Sequence, residues 1–398
     1  MLVQYFLMQK FTNQQAAALS AIGAWLKSYN KGGAQYITLG GYAGTGKTTL
    51  IAALRKVLTA NMPATKVGFA AFTGKAALVL KSKLVQDKIL RPGDSISTLH
   101  SLMYYSETGK GDVLKWRKRD LLKVDIIIVD EASMVSEDIW NDLLSFGKPV
   151  LAVGDHGQLP PIGNNFNLML DPEIKLDKIW RQAADSPIIS ISTMARSGQA
   201  IPIKVYGEGV EKLDRNDPVT GDTVQAILES HDADTLVLCG YNSTRQKLNN
   251  HVRELKGFEG PDPQRNDTIV CLRNNRESGL SNGQIGVITS ISATKNDNDL
   301  LWWSITADFD GIVFDGFAPR EQFGAATTIK EVPKRSKKDL VGLFDFGYGL
   351  TVHKAQGSQA KRVLIFEERF PKMSQDEWQR WLYTAITRAE QELYIVGN

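Results

Sequence analysis

The sequence predicts an α/β fold of two tandem parallel-sheet domains, with a hairpin inserted in the first and a small β domain inserted in the second. Three observations predict it. Short apolar runs at residues 36–39, 67–72, 125–129 and 149–153 alternate with helical stretches, the pattern of a parallel sheet covered on both faces. A second set follows at 235–239, 362–366 and 393–396. From about Gly257 to Leu340, helical periodicity gives way to short strands with turns at Ser281-Asn282-Gly283 and Asn296-Asp297-Asn298-Asp299.

The first helix starts where Thr12 or Asn13 can cap it, and Leu19, Ile22, Trp25 and Leu26 then fall on one face. Within 103–116, Glu107-Thr108-Gly109-Lys110-Gly111 lies between flanks that can pair, which predicts a protruding hairpin. The expected partition is a first domain over 1–173 with the hairpin at 103–117. The second covers 174–256 and 341–398, and the inserted β domain covers 257–340. A chain of 398 residues suits two or three domains, and 42% hydrophobic with 23% charged residues is the balance of a globular protein.

A formal charge of +3 is nearly neutral, so affinity for nucleic acid has to be argued from local residues. The two cysteines, Cys239 and Cys271, lie in apolar runs without metal-ligand spacing, which reads as core packing in a reducing compartment. No apolar stretch approaches the roughly 20 residues of a membrane span. The apolar start, residues 1–8, lacks a basic flank and a cleavage site, so it does not read as a signal peptide. No membrane association and a cytoplasmic location are expected.

The strongest single motif is Gly41-Tyr42-Ala43-Gly44-Thr45-Gly46-Lys47-Thr48, placed after a strand and before a helical run that opens with Thr49. Glycines let such a loop curl its N–H groups toward phosphate oxygens, and the helix adds its positive end. Lys47 would reach the β- and γ-phosphates of ATP, and Thr48 would hold Mg²⁺. Downstream, Ile126-Ile127-Ile128-Val129-Asp130-Glu131 delivers two carboxylates at the end of a buried strand. Asp130 would join the Mg²⁺ shell and Glu131 would orient and deprotonate the attacking water. An acidic pair after a strand is common; coupled to Lys47 it specifies nucleoside triphosphate hydrolysis.

Three later motifs complete an ordered set: Val153-Gly154-Asp155-His156-Gly157-Gln158-Leu159-Pro160-Pro161, Tyr348-Gly349-Leu350-Thr351-Val352-His353-Lys354-Ala355-Gln356-Gly357-Ser358, and Tyr383-Thr384-Ala385-Ile386-Thr387-Arg388-Ala389. With the phosphate loop and Asp130-Glu131, this set resembles superfamily 1 DNA helicases, in the branch that contains Dda and RecD. The resemblance covers nearly the whole chain. It implies two RecA-like domains, an SH3-like barrel as the insertion, and 5′-to-3′ translocation on single-stranded DNA powered by Mg-ATP.

The resemblance also implies residue roles. Gln15 would read adenine, with neighbouring Gln14 leaving the register open, and Trp180 would stack on the base. Gly41, Ala43, Gly44, Thr45, Gly46, Lys47, Thr48 and Thr49 would hold the phosphates, while Gln356 and Gly357 face the nucleotide. Gln158 would sense the γ-phosphate, and Arg181 and Arg388 would present positive charge to it. Strand contacts would fall at Phe72, Thr73, Lys75, Thr98 and His100, then at Asn242, Thr351, His353 and Lys354. Read from the residues alone, His100 and His353 serve equally as hydrogen-bonded core histidines.

The hairpin sits where this branch carries its strand-separating pin. Tyr104, Tyr105 and Trp116 are either the ring that meets the fork or packing aromatics that anchor the hairpin. The run Lys334-Arg335-Ser336-Lys337-Lys338 reads as a solvated loop. Expected partners are single-stranded DNA, fork or overhang DNA, and single-strand-binding or replication proteins, with the chain itself a monomer. Rival readings are an RNA helicase, the motor subunit of a RecD-type nuclease complex, and a non-enzymatic nucleic-acid clamp.

Overall fold

Helix α1 (Asn13–Tyr29) begins at a capping box in which Thr12 accepts from the Gln15 amide and the Gln15 side chain accepts from Thr12. Its buried face includes Leu19, Ile22 and Trp25, as the spacing requires. The computed structural model describes residues 11–108, 114–160, 166–179, 185–273, 275, 277–280, 282–295, 301–309, 311–330 and 339–398. It divides the chain into two compact units, Met1–Tyr105 with Lys118–Ser190, and Ser106–Arg117 with Ile191–Asn398.

In the first unit, β1 (Tyr36–Gly41), α2 (Lys47–Asn61), β2 (Val67–Ala71), α3 (Gly74–Gln86) and β3 (Ser95–Thr98) follow α1. Short helix α4 (Leu99–Met103) leads into the hairpin of β4 (Tyr104–Thr108) and β5 (Leu114–Lys118), whose ends, up to Tyr105 and from Lys118, belong to this unit and whose residues 106–117 group with the second. Then come β6 (Ile126–Asp130), α5 (Glu137–Leu144), β7 (Val150–Gly154) and β8 (Ile174–Leu176). Six strands form one parallel sheet in the order β3-β2-β6-β7-β1-β8. Residues Val67, Phe69, Ile128, Leu151 and Leu54 pack into a core with α1 and α2. Because β8 pairs with β1, this sheet continues past residue 173, where the sequence reading ends the first domain. A three-residue strand with one charged member carries too little pattern to be read in advance.

Helix α6 (Pro187–Ser197) spans the division between the units. The second unit continues with β9 (Lys204–Gly207), β10 (Val210–Asp214), α7 (Pro218–Glu229), β11 (Thr235–Cys239) and α8 (Asn242–Leu255). After the inserted strands, β17 (Gly349–Thr351), β18 (Ala360–Phe366), α9 (Gln375–Ile386) and β19 (Ala389–Gly397) complete its sheet. The order is β17-β11-β18-β19-β10-β9, parallel except for antiparallel β9 at the edge.

The inserted strands are β12 (Thr268–Cys271), β13 (Ile285–Lys295), β14 (Leu301–Phe309), β15 (Ile312–Pro319) and β16 (Phe344–Phe346). They form an antiparallel sheet, β15-β14-β13-β12-β16, with its own core of Ile288, Ile305, Phe309, Phe314 and Phe344. Its fifth strand therefore lies beyond residue 340, the expected end of the insertion. Cys239 and Cys271 are both buried, and burial pushes each thiol up to about 12. No helix of the described residues is long and apolar enough to cross a membrane.

Candidate nucleotide and strand site

The loop from β1 to α2 takes its shape from glycine. Gly44 and Gly46 have φ of 76° and 82°, a left-handed region that side chains with a Cβ enter at a cost of about 1–2 kcal/mol. A Cβ on Gly41 would lie 2.7 Å from Thr45 Oγ1. Lys47 folds back over the loop, donating to the carbonyls of Gly41 (2.8 Å) and Tyr42 (3.2 Å), with Asp155 3.8 Å away. The Thr45 hydroxyl donates to Tyr42 O at 2.8 Å.

Sheet order brings the acidic groups to this loop. The phosphate loop leaves the carboxyl end of β1, Asp155 follows the carboxyl end of neighbouring β7, and Asp130 ends β6, the next strand over. Three adjacent strands thus deliver lysine and carboxylates to one crevice, where open parallel sheets bind ligands. Burial, reinforced by the Glu131 charge, pushes the Asp130 carboxyl up to about 6 despite nearby Lys47. Glu131 is left-handed (φ 53°), and its buried Oε2 has no hydrogen-bond partner among the described residues. The Gln158 side chain is buried in the loop after β7, and the Gln158 backbone N–H donates to Asp155 O.

No group of three or more His, Cys, Asp or Glu that could hold a metal ion occurs among the described residues. Mg²⁺ needs no such group, because it keeps most of its waters and takes one or two protein oxygens. The adjacent Asp130 and Glu131 carboxylates, with a buried unpartnered oxygen on Glu131, fit that requirement.

Both glutamines at the α1 start are committed to backbone. Gln15 is 1% exposed, and its Nε2 donates to Thr45 O in the phosphate loop at 3.0 Å. Gln14 accepts with one oxygen from the amides of Asp177 (3.1 Å) and Lys178 (2.9 Å). Trp180 and Arg181 lie outside the described residues, as does the 334–338 run. Sequence reasoning missed Asp155 as a lysine partner and the tilted contact of Tyr42 with His156 (centroids 4.0 Å apart, planes at 49°). Asp155 had a signal, since it follows its strand as Asp130 does.

The expected strand contacts of this unit gather at the carboxyl ends of β2 and β3, which are neighbours. Thr73 and Thr98 each cap the following helix, accepting from Ala76 and Ser101 amides. Phe72 is half-buried, and His100 stacks on Tyr104 at 4.6 Å. Tyr104 is buried, whereas Tyr105 is 38% exposed beneath Arg119. Backbone alone is described at Lys75 and Trp116.

In the second unit, Arg388 is 1% exposed and donates to Thr384 O, Ser358 O and Thr387 Oγ1. That places it against the segment Gln356-Gly357-Ser358, with Gly357 at φ 76°. Asn242 and Thr351 sit at the carboxyl ends of paired strands β11 and β17. His353 is half-buried, and burial lowers its imidazole below the usual range. Lys354 donates to Leu272 O and Asn282 Oδ1, and burial lowers its ammonium below the usual range.

A family model described as an AAA domain matches residues 12–224, more than half of the chain. The chain belongs to that family. A second model, a UvrD-like helicase C-terminal domain, matches residues 346–396. The ATP-dependent RecD2 DNA helicase of Deinococcus radiodurans is 28% identical over 92% of this chain and 47% of its own length. The ATP-dependent DNA helicase dda of phage T4 is 30% identical over 56% of this chain and 53% of its own. With both models, these relatives put the chain in the Dda- and RecD-like branch of superfamily 1. The chain spans about half the length of these curated relatives. A Bacteroides Pif1 crystal structure bound to single-stranded DNA shares the fold. Its TM-score is 0.53 at 18% identity, covering 98% of this chain and 92% of that one.

Proposed function

We propose that this chain is an ATP-dependent DNA helicase that moves 5′ to 3′ on single-stranded DNA, hydrolysing Mg-ATP to do so. The observation that carries the reading is the delivery of Lys47, Asp155 and the Asp130-Glu131 pair to one crevice by three adjacent strands. Lys47 exchanges its carbonyl partners for the β- and γ-phosphates, while the loop N–H groups and the α2 amino end hold the rest. Thr48 and Asp130 would hold Mg²⁺, which would supply charge neutralisation on the transferred phosphoryl group. The free oxygen of Glu131 takes the proton of the attacking water, and Gln158 senses the γ-phosphate.

Gln15 contributes by holding the phosphate loop through Thr45 O, and Gln14 fixes the backbone that leads to Trp180 and the adenine. Arg388 and Arg181 supply positive charge to the γ-phosphate when the two RecA-like domains close on ATP. Such arginines contribute about 10³–10⁵ in rate, which makes hydrolysis and domain motion one event. Phe72, Thr73, Lys75, Thr98 and His100, with Asn242, Thr351, His353 and Lys354, grip the strand through phosphate contacts and base stacking. The antiparallel insertion is an SH3-like barrel that covers the strand. Fork or overhang DNA is the substrate, and the working form is a monomer.

The test is phosphate release with and without single-stranded DNA, followed by strand separation on duplexes with a 5′ or a 3′ overhang. Stimulated turnover with unwinding only from the 5′ overhang is expected. Turnover indifferent to single strands overturns the helicase reading, and unwinding from the 3′ overhang overturns the polarity.

A further inference from the structure

A hairpin that splits a duplex is useful only if its base does not yield when the motor pushes. Two paired strands alone are marginally stable in water, so the stiffness has to come from elsewhere. The base of the β4–β5 hairpin is held by a carboxylate outside the nucleotide and strand motifs. Asp142, on α5, accepts from the Tyr104 hydroxyl at the root of β4 with one oxygen. With the other it accepts from Lys118 Nζ at the root of β5, at 2.7 Å. One side chain therefore bridges both strands where they leave the unit. The Lys118 ammonium also lies 5.3 Å from the Phe146 ring centroid, and the Arg119 amide donates to Met103 O at 2.8 Å.

The support is itself fixed. Helix α5 buries Trp140 and Leu143, and Trp140 packs edge-on against Tyr36 at the start of β1, the strand that feeds the phosphate loop. At the last residue of α5, Leu144 O accepts from Gln35 at 2.6 Å, and just beyond it Gly147 O accepts from the Tyr29 hydroxyl at 2.6 Å. On its other side Tyr104 stacks on His100, an expected strand contact. An unbroken chain of contacts thus runs from His100 through Tyr104 and Asp142 to the nucleotide-binding sheet.

We propose that Asp142 is a positioning residue for strand separation, a brace that holds the hairpin at a fixed angle to the gripped strand so that translocation is converted into base-pair opening. The inference rests on the helicase reading above. Lys118 and Asp142 side chains are 35% and 40% exposed, so the bridge adds little to stability, and its loss is felt in coupling.

The experiment compares base pairs opened per ATP hydrolysed on a 5′-overhang fork with turnover on single-stranded DNA alone, for wild type, Asp142→Ala and Lys118→Met. Loss of a hydrogen bond to a charged group should lower unwinding per ATP by about tenfold in Asp142→Ala. Single-strand-stimulated turnover should stay within about twofold, and Lys118→Met should show the same split more weakly, as expected for one arm of an exposed bridge. Should Asp142→Ala fold poorly, Lys118→Met decides by itself. Unchanged unwinding per ATP overturns the brace, and so does a parallel fall of both activities. A wild-type chain without stimulated turnover instead overturns the helicase reading.

Discussion

Asp94 offers a quantitative test of how the nucleotide-binding unit is held together. Its carboxylate is 2% exposed and meets Arg55, whose side chain is fully buried on α2. Arg55 donates through Nε at 2.8 Å and Nη2 at 3.2 Å, and the Asp94 oxygens also accept from the Val67 and Arg91 amides, both at 2.9 Å. Asp94→Asn keeps the volume and an acceptor but strands a guanidinium in the core, which should cost about 3–5 kcal/mol. At about 2–4 °C per kcal/mol for a unit of this size, melting should fall by roughly 6–20 °C. Arg55→Met should cost a similar amount by leaving the carboxylate unpaired. The double change removes both charges, so a double-mutant cycle in urea should give a coupling of about 1–3 kcal/mol. Additive single changes, or an Asp94→Asn cost below about 1 kcal/mol, refute the argument that the two charges act as one unit.

Lys47→Ala should nearly abolish phosphate release while binding of single-stranded DNA, measured by fluorescence anisotropy, persists; binding lost in parallel would mean a folding defect. Glu131→Gln should lower turnover by about 10²–10⁴ with ATP binding retained, and Glu131→Gly should be equally inactive yet more stable by about 1 kcal/mol, because glycine accepts φ 53° without strain. Gln15→Ala should raise KM for adenine and guanine nucleotides alike, since its amide holds Thr45 O; a loss confined to adenine nucleotides would make it a base reader. Burial depresses the His231 imidazole from 6.5 to about 4, so below 6.5 the unfolded chain binds the proton first. That contribution is present above pH 6.5 and lost as pH falls toward 4, by up to about 3 kcal/mol, and urea melts of His231→Phe should show a flatter acid limb.

The parts of the site that were legible in sequence are those whose chemistry demands contiguous residues. Gly44 and Gly46 are fixed by positive φ, and Asp130 by the apolar strand that delivers it. What was not legible depends on which strands lie side by side. Asp155 becomes a lysine partner only because β7 is placed between β6 and β1, an order no local pattern encodes. Gln15 shows a different limit: its spacing from Thr12 serves a capping box as well as a ligand contact, and a pattern with two physical causes cannot choose between them. Tyr104 and Tyr105 differ in burial although adjacent, because a strand turns alternate side chains to opposite faces. The edge strands β3, β8 and β9 are three or four residues long, too short for alternation to register.

Helix α8 is a whole element whose burial its local pattern does not reveal. Its sequence, Asn242 to Leu255, is strongly polar, which by pattern alone argues for a solvent-facing helix. Yet Arg245, Leu248, Asn249, Val252 and Arg253 are buried at helical spacing on one face. Each polar member of that face has a partner, the two arginines at the ends of the insertion and Asn249 on β17 of the parallel sheet. Arg245 pairs with Asp345 on β16 at 2.6 Å, and Asn249 makes two bonds with the Gly349 backbone. Arg253 pairs with Asp267 just before β12 at 3.0 Å and lies 4.1 Å from the Phe346 ring centroid. Asp267 and Asp345 flank the points where the chain leaves for the insertion and returns from it. An apolar face would have buried the helix equally well, and in general at lower desolvation cost. Paired charges add direction: each arginine donates to one carboxylate in one geometry, so both roots of the insertion are held in register with a helix whose first residue is Asn242.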